Sequence, residues 1–144
     1  MRNRTLLIAL VLTVTMASCS RFEDGPAFTL LTPKARLTGD WEIVDFIGPD
    51  AEYYLDDLQD GQRWFFEFEK DGDGSFGLSY TYGGYSYSYS YDMEWELDGD
   101  ELEVDLATST YDMDWEIQRL TNTELEMRAQ GIGIDLLTWV FEKQ

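Results

Sequence analysis

Between Tyr85 and Leu97 the chain alternates without interruption. Odd positions hold Tyr85, Tyr87, Tyr89, Tyr91, Met93, Trp95 and Leu97; even positions hold Ser86, Ser88, Ser90, Asp92, Glu94 and Glu96. A period of two means a β-strand with one apolar and one wet face. A strand this long exceeds the usual length of about 5–6 residues, which favours a barrel or a strongly coiled sheet.

The turns then set the pairing. Gly83-Gly84 is a two-residue hairpin loop that places Tyr82 opposite Tyr85, Tyr80 opposite Tyr87, Leu78 opposite Tyr89 and Phe76 opposite Tyr91. Asp98-Gly99-Asp100-Glu101 returns the chain so that Leu97 meets Leu102, Trp95 meets Val104 and Met93 meets Leu106. Upstream, Asp71-Gly72-Asp73-Gly74 is read as the turn that pairs Phe68 with Phe76, Phe66 with Leu78 and Trp64 with Tyr80. All three turns give the same inner face, and a one-residue slip would destroy it.

The same patterning predicts strands over 37–47, 63–69, 75–82, 85–97, 101–108, 112–119, 124–130 and 135–143. Only the connection from Pro49 to Gly61 is long, and part of it is expected to be a helical turn. The fold class expected is all-β, an eight-stranded antiparallel up-and-down barrel with a long first loop. Tyr91-Asp-Met-Glu-Trp-Glu-Leu97 recurs as Tyr111-Asp-Met-Asp-Trp-Glu-Ile117, and Glu101-Leu-Glu-Val104 as Glu124-Leu-Glu-Met127. The offset grows by three residues around Gln118 to Leu120, and inward parity shifts from Ile117 to Leu120. A β-bulge is therefore predicted near Arg119. A second bulge, in the first strand, would turn Asp45 outward. The repeat serves packing, or marks a duplicated binding feature.

Composition narrows the chemistry. The 144 residues include 10 Lys plus Arg against 29 Asp plus Glu, a formal charge of −19, with no His and one Cys. A His-ligated metal, a Ser-His-Asp or Cys-His mechanism and an internal disulfide are excluded, and nucleic acid would be repelled. Asp71-Gly72-Asp73-Gly74 lacks the Glu of a calcium loop, Tyr82 standing in its place. Most carboxylates fall on outward positions, so neither a catalytic residue nor a metal or cofactor is expected.

The N-terminus is an address. Arg2 and Arg4 precede an apolar run from Leu6, and Met16-Ala17-Ser18-Cys19 comes after it. This is the layout of a secretory signal peptide, and small residues before a cysteine resemble the lipobox of bacterial lipoproteins. The resemblance implies cleavage after residue 18, lipidation of Cys19 and a membrane anchor in the cell envelope. Ser20 is not the Asp that resembles an inner-membrane retention signal, which points to the outer membrane, facing the periplasm or the surface. Residues 19–36, with Gly25, Pro26 and Pro33, are read as a lipidated tether able to close over one end of the fold.

Residues 37–43, Leu-Thr-Gly-Asp-Trp-Glu-Ile, resemble the Gly-x-Trp opening of lipocalins, here Gly39 and Trp41. With the strand count and long first loop, residues 37–144 resemble the small lipocalin-like domain found on bacterial lipoproteins. The resemblance implies that Trp41 packs across a closed end beneath a basic side chain, for which Lys143 is the candidate. It also implies a cup for a small, mostly apolar ligand with the first loop as lid.

The inner face would carry five tryptophans, four phenylalanines and the tyrosines at 80, 82, 85, 87, 89 and 91. An unpartnered buried hydroxyl costs roughly 1–3 kcal/mol, so the tyrosines belong near water, at an open mouth beside Gly83-Gly84. Trp64, Tyr80, Tyr82, Tyr85 and Tyr87 are the candidate ligand-binding residues, suited to stacking on a flat ligand or a sugar. The alternative is cross-strand packing alone, with a filled barrel and a small, uncharged face of Ser79, Thr81, Ser86, Ser88 and Ser90 for an envelope protein partner. Only Arg119, at the expected bulge, is placed to turn inward as arginines do in fatty-acid binders.

Overall fold

A computed structural model describes residues 31–107, 112–130 and 136–144. Eight strands run β1 (Gly39–Ile47), β2 (Arg63–Phe68), β3 (Asp73–Tyr82), β4 (Tyr85–Asp98), β5 (Glu101–Leu106), β6 (Asp112–Leu120), β7 (Glu124–Gln130) and β8 (Thr138–Lys143). Each pairs antiparallel with the next, and β8 pairs back onto β1 to close the barrel. Closure leaves no free sheet edge around the body. Among the described residues two helices accompany the sheet: α1 (Pro33–Leu37) before β1, and α2 (Ala51–Gln59) between β1 and β2. No helix among the described residues is long and apolar enough to cross a membrane.

The β3–β4 and β4–β5 registers are those the turns dictate, from Tyr82 opposite Tyr85 to Leu97 opposite Leu102. The β2–β3 register differs by two residues. Phe68 faces Gly74, Phe66 faces Phe76 and Trp64 faces Leu78. The turn is tighter than expected: Glu69 N–H donates to Asp73 O at 2.8 Å, and Gly72, at φ +106°, closes it. Gly74 belongs to the strand, where a Cβ would collide with the Glu67 carbonyl. A slip of two keeps every side chain on its face, so the alternation could not detect it.

Both bulges are present. The β6–β7 register shifts between Ile117 and Arg119, and the β1–β8 register between Ile43 and Asp45. Asp45 is exposed and accepts a bond from the Phe46 N–H at 2.8 Å. Arg119 does not turn inward; it pairs with Glu124 at 2.9 Å on the surface.

One end of the barrel is plugged. The last residues of the tether segment form α1, with Thr32 accepting from Ala35 N–H as its N-cap and Pro33 opening the helix. Leu37 is fully buried, and Arg36, 4 % exposed, donates to Leu120 O at 2.7 Å. The Trp41 indole N–H donates to Leu37 O at 2.6 Å. Lys143 Nζ sits 5.1 Å from the Trp41 ring centre and donates to Arg36 O and Thr38 O at 2.9 and 2.6 Å. Gly39 is required here: its φ is +127°, and a Cβ would lie 2.6 Å from the Lys143 stem.

Candidate functional site

Chain direction sorts the ends. β1 leaves the plugged end and delivers the chain to α2 at the opposite end, where Gly83-Gly84 also lies. That open end carries two aromatic groups. The first is a cluster inside the mouth: Trp139 lies 5.3 Å from Phe46 and 6.0 Å from Trp64, centre to centre, and Phe46 lies 5.5 Å from Tyr54 of α2. Tyr54, Leu55 and Leu58 pack against this core, so α2 covers the mouth. Asp50, before α2, is left-handed at φ 61° and makes no side-chain cap.

The second group lies outside the barrel. Among the described residues β5 pairs with β4 only from Met93 onward, and β2 pairs with β3 only as far as Ser79. Tyr80–Tyr82 therefore pair only with β4, and Tyr85–Tyr91 only with β3. The hairpin tip overhangs the wall as a ribbon, by roughly 20 Å on its β4 side at about 3.3 Å per residue. Tyr82 and Tyr85 at its tip are 77 % and 71 % exposed, and Tyr87, Tyr89 and Tyr91 are exposed too. Tyr80 stacks on Tyr87 at 5.2 Å and on Tyr89 at 6.3 Å. A hydrogen bond with Tyr89, then desolvation, raises its pKa above the ordinary value. On the reverse face Thr81 and Ser86 hydroxyls meet at 3.3 Å.

The sequence-predicted site residues thus fall into two places. Trp64 lies half-buried in the mouth, against Phe76 and Trp139. Tyr80, Tyr82, Tyr85 and Tyr87 lie together on the ribbon. The expected Trp64–Tyr80 pairing is absent because of the two-residue register change. Gly39 and Trp41 occupy the plugged end. Cys19 lies outside the described residues. Sequence reasoning placed Trp139 on the inner face but did not mark it, or Phe46 and Tyr54, as site residues. Only the closed barrel brings residues that far apart in the chain together.

The barrel axis is filled. Trp115, Trp139, Phe66 and Phe141 touch in successive ring contacts of 5.0 to 6.5 Å. Open grooves lie instead along the outer wall of β3, β4 and β5. One of about 560 Å³ is lined by Asp73, Asp92, Glu94 and Asp105, and one of about 210 Å³ by Asp71, Glu96 and Glu103 among others. Acids face acids across this wall: Asp73–Glu94–Asp105 and Glu96–Glu103–Asp114. Such pairs repel. No cluster among the described residues has the geometry to hold a metal ion.

A family model described as a lipocalin-like domain matches residues 37–127. A lipocalin-like protein from Bacteroides uniformis ATCC 8492 superposes with a TM-score of 0.53 at 15% identity, covering 76% of this chain and 99% of its own. A protein from Bacteroides eggerthii DSM 20697 gives 0.49 at 15% identity, over 74% and 98% of the two chains. No curated protein matches the sequence.

Proposed function

Because this chain belongs to the lipocalin-like domain family, we propose that it is a non-catalytic, lipid-anchored binding module of the bacterial cell envelope. It takes a small apolar or aromatic ligand at the barrel mouth. The observation that carries this reading is the aromatic cluster of Trp64, Phe76, Phe46 and Trp139 gathered at the open end under α2. Because the axis is filled, the ligand lies against this cluster and the adjoining face of Tyr80 and Tyr87, not deep in the cup. The anchor is the lipid on Cys19, and the membrane is the outer one. Native mass spectrometry of the Ser20–Gln144 form, exported to the periplasm of its own host, tests the reading. A reproducible added mass, lost in Trp64→Ala and Tyr87→Ala variants that still fold, supports it. A bare protein mass counts against it.

A second reading has its own observation. Five exposed tyrosines on an overhanging ribbon, backed by small hydroxyl residues, form an uncharged surface on a chain of charge −19. Exposed aromatic surface of this kind suits an envelope protein partner. Crosslinking in intact cells from Tyr85, with capture abolished by Tyr82→Ser and Tyr85→Ser, would favour it.

A further inference from the structure

Resting on the reading of the ribbon as a protein contact, we infer that its occupant is a second copy of this chain, paired antiparallel through the outer edge of β4 about a twofold axis at Ser88.

Backbone parity exposes the edge. In an antiparallel strand the N–H and C=O of one residue point to one neighbour, and those of the next residue to the other. Trp95 N–H donates to Gly72 O, on the β3 side, and Ala107 N–H donates to Asp92 O, on the β5 side. Odd residues of β4 therefore bond toward β3, and even residues bond away from it. From Asp92 toward the tip β5 no longer accompanies β4, and among the described residues nothing pairs with the outward groups of Ser86, Ser88 and Ser90. The other side of the ribbon offers no comparable edge, since β2 reaches Ser79 and leaves only Thr81. Natural sheet edges are blunted by charges, prolines or bulges. Tyr85–Tyr91 has none of these, and its register with β3 is unbroken.

The occupant follows from the sequence of that edge. Tyr85-Ser-Tyr-Ser-Tyr-Ser-Tyr91 reads the same in both directions about Ser88. Laid antiparallel on itself, Ser88 faces Ser88 of the second copy and Ser86 faces its Ser90. The outward N–H and C=O groups of all three serines then meet, in roughly six backbone hydrogen bonds. Tyr87 faces Tyr89 and Tyr85 faces Tyr91 in the intervening pairs, where side chains lie closer. A shift of two residues either way would set one serine of each copy against the turn or against Asp92.

Charge points the same way. A chain of charge −19 repels its own copies, and the uncharged ribbon is where two of them can meet. In this register Asp92 lies level with Gly84 of the second copy, roughly 25 Å along the ribbon from that copy's Asp92 and well beyond the Debye length of about 8 Å. Twofold pairing uses each β4 edge once, so the contact closes at two copies and does not grow into a fibre. The N-terminal segment enters each barrel at its plugged end, away from this contact.

Sedimentation equilibrium of the Ser20–Gln144 form, which contains the whole barrel, tests the proposal. Two strand edges bury less than the roughly 1,200 Å² of a standard interface, so the dimer should appear between micromolar and millimolar protein. With rising concentration the Ser86, Ser88 and Ser90 amide resonances should move downfield and gain protection from exchange. The tyrosine amides, already bonded to β3, should not. Ser88→Pro removes the central outward N–H without touching a β3 bond and should weaken the dimer about tenfold or more. Ser88→Lys and Ser88→Asp set like charges face to face and should each be monomeric, while an equal mixture of the two restores the dimer. That rescue requires both variants to be folded. A dimer indifferent to every Ser88 variant overturns the edge pairing. A monomer at all concentrations overturns the second copy; capture of a different protein from Tyr85 then leaves the ribbon as a protein contact, and no capture overturns that reading too.

Discussion

The two ends of the barrel are built on opposite terms. At the plugged end the polar groups are paired: Trp41 with Leu37 O, Lys143 with Arg36 O and Thr38 O, and Arg36 with Leu120 O. At the open end two buried indoles lack partners, a helix without a side-chain cap covers the mouth, and tyrosines stand in water on a ribbon that overhangs the wall. The contrast separates what holds the barrel together from what it offers to other molecules. An end tied together by several long-range hydrogen bonds stabilises; an end with unspent hydrogen-bonding capacity and exposed aromatic surface is where binding can still gain free energy.

The sharpest way to break this contrast is truncation at each end. Trp41→Ala should lower stability by about 3–5 kcal/mol, since it removes a fully buried ring and leaves a cavity. Tyr85→Ala, at the ribbon tip, should stay within about 0.5 kcal/mol. Urea unfolding of both variants decides it, and comparable losses would refute the division. Gly39→Ala comes next. Positive φ and the crossing Lys143 stem leave no room for a methyl group, so a loss of about 1–3 kcal/mol is expected in the same assay. Combined Tyr82→Ser and Tyr85→Ser should leave the unfolding free energy within about 0.5 kcal/mol of the parent while weakening whatever the ribbon holds. A large loss of stability would make these tyrosines structural.

The smallest effect is in the alkaline pH response, where the ends pull in opposite directions. Burial lowers the Lys143 pKa from 10.5, with the Asp40 carboxylate pulling it back up. The unfolded chain therefore holds that proton more tightly, and stability rises as pH climbs through the folded value toward 10.5. The Tyr80 phenol is raised from 10.0, so its contribution is present below that value and is lost as pH rises through the folded one. Lys143→Met should remove the rising component and Tyr80→Phe the falling one, read as unfolding free energy against pH. The same sign in both variants would contradict the assignment.

Much of the fold was legible because its information is local. Tyr85 to Leu97 has one periodicity, Gly83-Gly84 one favoured hairpin, and the three-residue insertion after Ile117 one cheap solution, a bulge. Lys143 over Trp41 was reachable through the resemblance of Gly39-Asp40-Trp41. The candidate site was less legible. Trp64 and Tyr80 were expected side by side, and a turn tighter by two residues moved them apart without changing a single inward face. Thr32-Pro33 was the one start signal for a helix over 33–37 and no periodicity followed it, because five residues are too few to show one and the helix is held by Leu37 and Arg36 docking on the barrel.

The alternation, the turns and the Gly-x-Trp opening by themselves determined an eight-stranded antiparallel barrel, its bulges and most of its inward face; Tyr82, Tyr85, Tyr87, Tyr89 and Tyr91 were expected on that face and stand exposed on the ribbon instead. Each of these is set by contacts between residues near in sequence or by a parity that any error would invert. The tertiary structure alone decided the β2–β3 register, the overhang of the tyrosine ribbon, the plug of α1 and which indoles are left without partners. These depend on where strands of unequal length stop relative to one another, and on hydrogen-bond partners far away in the chain, such as Arg36 with Leu120. A one-dimensional pattern carries no record of such distances.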